Sequence, residues 1–163
     1  MDTDAAFADL VARNHRRLAA IARSYARGDA WRDLYQEIVL QLWKTRRRFE
    51  GRASPETWVF RVALNTAITF RRRDAVRPRL VQAADGQMEA ACGASSGGRS
   101  ELALLDEFLA SLGEIDRAVL LLYLEDLAYR EIAGVTGLSE ANVGVRLARI
   151  KKAFVDRYIG AER

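Results

Sequence analysis

Apolar residues recur at steps of three and four through two long blocks of this 163-residue chain, and this spacing predicts helices rather than strands. In the first block one stripe runs from Phe7 to Tyr25 and ends before Gly28, and a second runs from Leu34 to Leu42. A third helix opens at Ser54-Pro55-Glu56, which is typical of an N-cap followed by proline in the first turn. This helix is expected to end in the arginines at positions 71–73.

The helical pattern fails between residues 75 and 100 and resumes at Ser100, a predicted N-cap. That stretch is rich in glycine, alanine and serine and offers little apolar surface to offset the entropy of ordering it. The sequence therefore predicts an all-α protein of two small helical domains, residues 1–74 and 101–163, joined by a flexible linker at 75–100. Seven or eight helices and no convincing strand are expected, and a short helix over residues 80–91 is left open.

Composition excludes several classes of protein. The single Cys92 cannot form an internal disulfide, and His15 is the only histidine, so neither a metal site nor a cofactor is expected. No apolar run reaches the roughly 18 residues that a bilayer-spanning helix needs, and the acidic start of the chain is unlike a signal peptide. We therefore expect a cytoplasmic protein without direct membrane insertion.

The net charge of +4 conceals an alternation along the chain. Residues 1–74 carry fifteen basic against nine acidic residues, residues 101–140 carry two against nine, and residues 141–163 carry six against two. Because phosphate binding depends on local potential, the two basic segments are candidates for contact with nucleic acid. A charged segment that is simply solvated is the alternative for either of them.

A helix-turn-helix is predicted near residues 128–152. Such a motif needs a small residue in the first helix, a turn residue that tolerates positive φ, and an apolar anchor in the second helix. Ala133, Gly137 and Val143 meet these needs at steps of four and six, with Ser139 as the cap of the second helix. Polar side chains suited to base edges and phosphates then follow on that helix, namely Glu140, Asn142, Arg146, Arg149 and Lys152. A helical hairpin with a solvated basic face is the alternative.

The helix from Ser54 to Asp74 combines aromatic, amide and basic side chains, which suit a surface that holds strand-separated DNA. The loop before it, residues 49–53, is short enough to form a pocket for an unstacked base. Trp58 and Phe70 at helical spacing are also typical of a buried core, so both interpretations stay open at this point.

Two stretches of the chain together resemble the extracytoplasmic-function sigma factors, small two-domain promoter-specificity subunits of bacterial RNA polymerase. The first stretch reads DLYQEIVLQLWKTRRRF and continues, after a short loop, with ETWVFRVALNTAITFRRRD, similar to region two of that family. The second reads DRAVLLLYLEDLAYREIAGVTGLSEANVGVRLARIKK, similar to region four. The predicted linker falls where the linker of the family falls.

The resemblance implies three binding surfaces on this chain. The surface expected to dock on the RNA polymerase core comprises Asp33, Gln36, Glu37, Leu40 and Trp43. The surface expected to melt and hold the −10 promoter element comprises Gly51, Arg52, Ala53, Trp58, Arg61, Asn65, Arg71 and Arg72. The surface expected to read the −35 element comprises Ser139, Asn142, Arg146, Arg149 and Lys152.

The resemblance further implies control by an anti-sigma factor, and no catalytic residue is expected because no nucleophile–base pair occurs at useful spacing. One departure is Gly144, which stands where the family usually has Lys or Arg, so one DNA contact is expected to be absent. Two other functions remain open from the sequence. One is a dimeric helix-turn-helix regulator that acts without polymerase, and the other is an adaptor that mimics a sigma factor without binding DNA.

Overall fold

The computed structural model describes residues 4–82 and 101–160, and within these ranges all regular structure is helical. The prediction of an all-α protein is confirmed. In chain order the helices are α1 (Asp4–Tyr25), α2 (Ala30–Thr45), a short 3₁₀ helix (Arg46–Arg48), α3 (Pro55–Gln82), α4 (Glu101–Ser111), α5 (Glu114–Leu124), α6 (Tyr129–Thr136) and α7 (Glu140–Tyr158).

Helices α1, α2 and α3 pack against one another to form an N-terminal lobe. Its core is built from the apolar stripes of the sequence, and the side chains that are almost completely buried include Leu10, Leu18, Leu34, Ile38, Leu42, Val59 and Phe60. The start of α3 is fixed as predicted, because the Ser54 hydroxyl accepts a hydrogen bond from the Thr57 backbone N–H at 3.1 Å.

The end of α3 differs from the prediction. The helix continues to Gln82, nine residues beyond Arg73. Pro78 is unfavourable inside a helix, but the remaining residues of this stretch are mostly good helix formers, and their intrinsic propensity favours continuation of α3. The rest of the predicted linker, most of the optional helix at 80–91 and the predicted cap Ser100 lie outside the described residues.

Helices α4 to α7 form a C-terminal lobe, whose buried apolar side chains belong to one cluster with those of the N-terminal lobe. Side chains from three of its helices are fully or almost fully buried there, namely Val119, Leu122, Ile132, Val143 and Leu147. The ring of Phe108 on α4 packs edge-on against Phe154 on α7, with 5.1 Å between the ring centroids. This aromatic contact attaches α4 to the last helix of the lobe.

The two lobes are in contact, and a buried arginine joins them. Arg117 on α5 is only 3% exposed, and its guanidinium donates to the carbonyl of Ser24 on α1 at 2.9 Å and to that of Ala110 on α4 at 2.8 Å. Beside it the Tyr25 hydroxyl donates to the carbonyl of Glu114 at 2.8 Å, and burial raises the pKa of this phenol well above its usual value. The sequence predicted two lobes joined by a flexible linker, and in this structure the lobes share these polar contacts.

Replacement of Arg117 by alanine is expected to lower the free energy of unfolding by about 2 to 4 kcal/mol, because buried carbonyls lose a charged donor. Chemical denaturation followed by circular dichroism measures this change. Arg16→Ala removes an exposed arginine of α1 and is the control, with an expected change within about 0.5 kcal/mol. A loss below about 1 kcal/mol for Arg117→Ala would show that the buried guanidinium contributes little.

Candidate nucleic-acid interface

The helix-turn-helix predicted from the sequence is formed by α6 and α7. Gly137 adopts the left-handed conformation with φ of 77°, and its N–H donates to the Ala133 carbonyl at 2.9 Å to close α6. The Ser139 hydroxyl then accepts from the Asn142 N–H at 3.2 Å and caps α7. The glycine and the cap therefore act in the turn as the sequence predicted.

Helix α7 buries one face and exposes the other. Val143, Leu147 and Ile150 lie in the lobe's core. The predicted −35 side chains lie at or beyond the edge of that buried face: Ser139, Asn142, Arg149 and Lys152 are exposed, and Arg146 is half-buried. The structure thus brings the predicted set together on one helix, with the Ser139 hydroxyl already engaged in the cap.

An acidic partner of two of these arginines was missed by the sequence prediction. Asp116, near the start of α5, forms an ion pair with Arg146 and lies 3.7 Å from the guanidinium of Arg149. The partners are 30 and 33 positions apart, so no local spacing signalled the pairing. A carboxylate at this place holds the two guanidinium groups in position, and DNA phosphates would have to compete with it for them.

The predicted −10 residues of the loop before α3 lie at the surface. Gly51 adopts a left-handed φ of 70° with open space around it, and Arg52 pairs with Glu50 at 2.7 Å while 87% of its side chain is exposed. Ala53 is half-buried. Trp58 is also half-buried, with its ring tilted against that of Phe49 at 5.5 Å between centroids. The tryptophan thus belongs in part to the core and in part to this surface.

The other predicted −10 residues divide along α3. Arg61, Asn65 and Arg72 are exposed, at spacings that put them on one face of the helix, whereas Arg71 is half-buried and its Nη1 atom is completely buried without a hydrogen-bond partner. Asn65 also borders a groove between α2 and α3 that is lined by Glu37 of the predicted polymerase surface.

Two arginines of this face are engaged by the C-terminal lobe. Arg61 donates to the backbone carbonyl of Gly134 on α6. Arg72 donates twice to the Glu114 carboxylate, at 3.1 and 2.7 Å, and this hydrogen bonding lowers the pKa of the Glu114 carboxyl. In this arrangement the part of the predicted −10 surface formed by Arg61 and Arg72 contacts the lobe that carries the helix-turn-helix.

Helices α3 and α6 are in contact near the start of α3. A Cβ atom added to Gly134 would lie 3.6 Å from the Cγ2 atom of Thr57, which is an ordinary van der Waals contact. Together with the Arg61 hydrogen bond, this places the first helix of the helix-turn-helix directly against the helix predicted to hold opened DNA.

The predicted polymerase-binding residues share one side of α2. Asp33, Gln36 and Leu40 are exposed, with 48% of Leu40 accessible. Glu37 and Trp43 are half-buried: Glu37 pairs with Arg73 at 3.3 Å, and the Trp43 ring packs edge-on against Phe7 of α1 at 5.1 Å. Leu40 and Trp43 also line a shallow apolar groove between α1 and α2.

Other kinds of site receive no support within the described ranges. Residues 4–82 and 101–160 contain no group of three or more histidine, cysteine, aspartate or glutamate side chains placed to hold a metal ion. None of the helices described combines the length and apolar character needed to cross a membrane.

Comparison with known proteins places both lobes in one family. Residues 10–77 match the model of sigma-70 region 2, and residues 102–154 match that of sigma-70 region 4. No match was found among curated proteins.

Solved structures with a similar fold include two complexes. One is the sigma factor RpoE with the anti-sigma factor NepR from Bartonella quintana, with a TM-score of 0.71, 19% identity, and coverage of 96% of this chain and 98% of that chain. The other is CnrH with the cytosolic domain of CnrY, with a TM-score of 0.70, 25% identity, and coverage of 99% of this chain and 92% of that chain.

Proposed function

The chain belongs to the extracytoplasmic-function group of the sigma-70 family, the promoter-specificity subunits of bacterial RNA polymerase, and we propose which of its surfaces do this work. Helix α2 docks on the polymerase core, α3 with its preceding loop holds the −10 element, and α7 reads the −35 element. The observation that supports this assignment most directly is the capped helix-turn-helix whose second helix exposes Asn142, Arg149 and Lys152.

The proposed mechanism uses binding energy alone. Removal of a base from the DNA stack costs a few kcal/mol. Contacts that the protein makes only with opened DNA must offset this cost. Asn65 supplies an amide for the edge of an unstacked base, and Arg61 and Arg72 supply charge for the phosphates of the separated strand. No covalent chemistry is required of the chain.

We also propose that the described arrangement is a closed form that has to open before promoter binding. Arg61 and Arg72 each use donors to bind Gly134 and Glu114, so the phosphates of the −10 element have to compete with the C-terminal lobe for these arginines. The −10 and −35 elements lie on separate segments of a duplex, so both surfaces must be accessible at the same time. Opening exchanges polar contacts between the lobes for contacts with DNA and polymerase.

Control by an anti-sigma factor is part of the proposal. A fold similar to that of RpoE with the anti-sigma factor NepR supports it, as does the closed arrangement, which a partner spanning both lobes would stabilise. We place the protein in the cytoplasm, where polymerase and promoter DNA are found.

Run-off transcription with purified core polymerase tests the proposal through two variants. Asn65→Ala is expected to reduce open-complex formation, measured by permanganate reactivity of −10 thymines, and to spare −35 binding. Arg146→Ala is expected to weaken −35 binding about 5- to 150-fold if the arginine makes a bidentate base contact. Arg16→Ala is the control and is expected to leave both measurements unchanged.

Two results of these experiments would contradict the proposed function. If the wild-type chain did not direct specific initiation with core polymerase and instead bound a palindromic site as a dimer, the protein would be a regulator that acts without polymerase. Equal effects of Asn65→Ala on −10 opening and on −35 binding would contradict the assignment of separate roles to α3 and α7.

A disulfide between the lobes tests the requirement for opening. The variant Thr57→Cys/Gly134→Cys, made with Cys92→Ser to remove the native thiol, places two cysteines where the helices touch. The oxidised protein is expected to be inactive in run-off transcription and to recover at least half of its activity after reduction. Each single-cysteine variant is the matched control. Full activity of the oxidised, cross-linked protein would show that the lobes need not separate.

A further inference from the structure

The outermost residue of the proposed recognition helix is a valine. Val145 is 66% exposed, although the same helix buries Val143, Leu147 and Ile150. At 100° per residue, Val145 points almost directly away from that core. An exposed valine adds little to the stability of the helix, since β-branched residues lower helix propensity. Val145 therefore adds little to the stability of the free lobe and is available for contact with another molecule.

The neighbours of Val145 on this outer face are small. Ala141 and Ala148 lie one turn before and about one turn after it, and both are exposed. Gly144 beside it carries no side chain at all, and the Tyr129 ring lies 3.5 Å from where its Cβ would be. Arg149 follows one turn after Val145 and Lys152 two turns after it on this side of α7, so the small patch is confined to the first half of the helix, where the short valine can reach the floor of a groove.

The arginines nearest this patch lie on its flank or one turn beyond it. Arg146 and Arg149 turn toward Asp116. The N-terminal half of the helix, which in a helix-turn-helix approaches the base edges, therefore presents the apolar Ala141 and Val145 beside the amide of Asn142. In the major groove the apolar group that a base presents is the C5-methyl of thymine.

We propose that Val145, supported by Ala141, determines promoter specificity by packing against the methyl group of a thymine in the −35 element. This inference rests on the proposed function, because it requires α7 to lie in the major groove of promoter DNA. Arg149 anchors the helix on a phosphate, Arg146 keeps the base contact proposed above, and the valine distinguishes thymine from the other bases by contact with its methyl group.

Replacement of thymine by deoxyuracil tests the contact, because it removes only the methyl group and keeps every hydrogen-bonding group. A promoter is first selected from a randomised duplex pool by the full chain bound to core polymerase, and each −35 thymine is then replaced singly. At one position the wild-type holoenzyme is expected to lose about four-fold in affinity, the effect of one buried methyl group. Val145→Ala is expected to bind the thymine duplex more weakly and to lose this discrimination.

Val155→Ala is the matched control, because it makes the same change at another exposed valine of α7, about 15 Å further along the helix axis. It should keep the wild-type ratio of thymine to uracil affinity. The proposal is overturned if the wild type binds the thymine and uracil duplexes equally well at every −35 position. It is also overturned if Val145→Ala keeps the wild-type preference for thymine. Failure to select any sequence with a −10 and a −35 element would instead overturn the proposed function, and this inference with it.

Discussion

The structure depends on one buried charge. Arg117 projects from the C-terminal lobe, is almost completely buried, and donates to backbone carbonyls of both lobes rather than to a carboxylate. A buried guanidinium is costly, and the Nε of Arg117 has no hydrogen-bond partner, so the carbonyls near the ends of α1 and α4 that accept from its Nη groups must stay beside it. This requirement sets the position of α5 against α1. It thereby brings α6 against α3 and the proposed −10 surface against the helix-turn-helix.

The other bonds between the lobes are also polar. Besides Arg117 they include the Tyr25 hydroxyl on the Glu114 carbonyl, the Arg72–Glu114 pair and the Arg17–Glu125 pair at 3.2 Å. Each such contact contributes modestly in net terms, because water, phosphate or another protein can replace either partner. The buried apolar side chains of the two lobes also belong to one cluster, so separation exposes apolar surface as well as polar groups. In the proposed opening, contacts with DNA and polymerase have to offset both costs.

Local features of the fold were predictable from the sequence, whereas contacts between distant residues were not. The helical stripes, the left-handed Gly137 and the Ser139 cap each depend on a few neighbouring residues, and all three were predicted. The burial of Arg117 contradicts the usual exposure of arginine, and the Asp116–Arg146 pair joins residues 30 positions apart. The prediction for α7 favoured charged residue types and overlooked Val145, whose significance appears only when its exposure is known.

The distance between the lobes tests the central claim most directly. Fluorophores attached to cysteines introduced at Arg16 and Asp156, both exposed, in the Cys92→Ser background would report it by single-molecule energy transfer. We expect a population with high transfer efficiency in the unbound chain and a shift to low efficiency in the open complex with core polymerase and promoter DNA. The same high efficiency in an active open complex would contradict it, because the lobes would then read the promoter without separating.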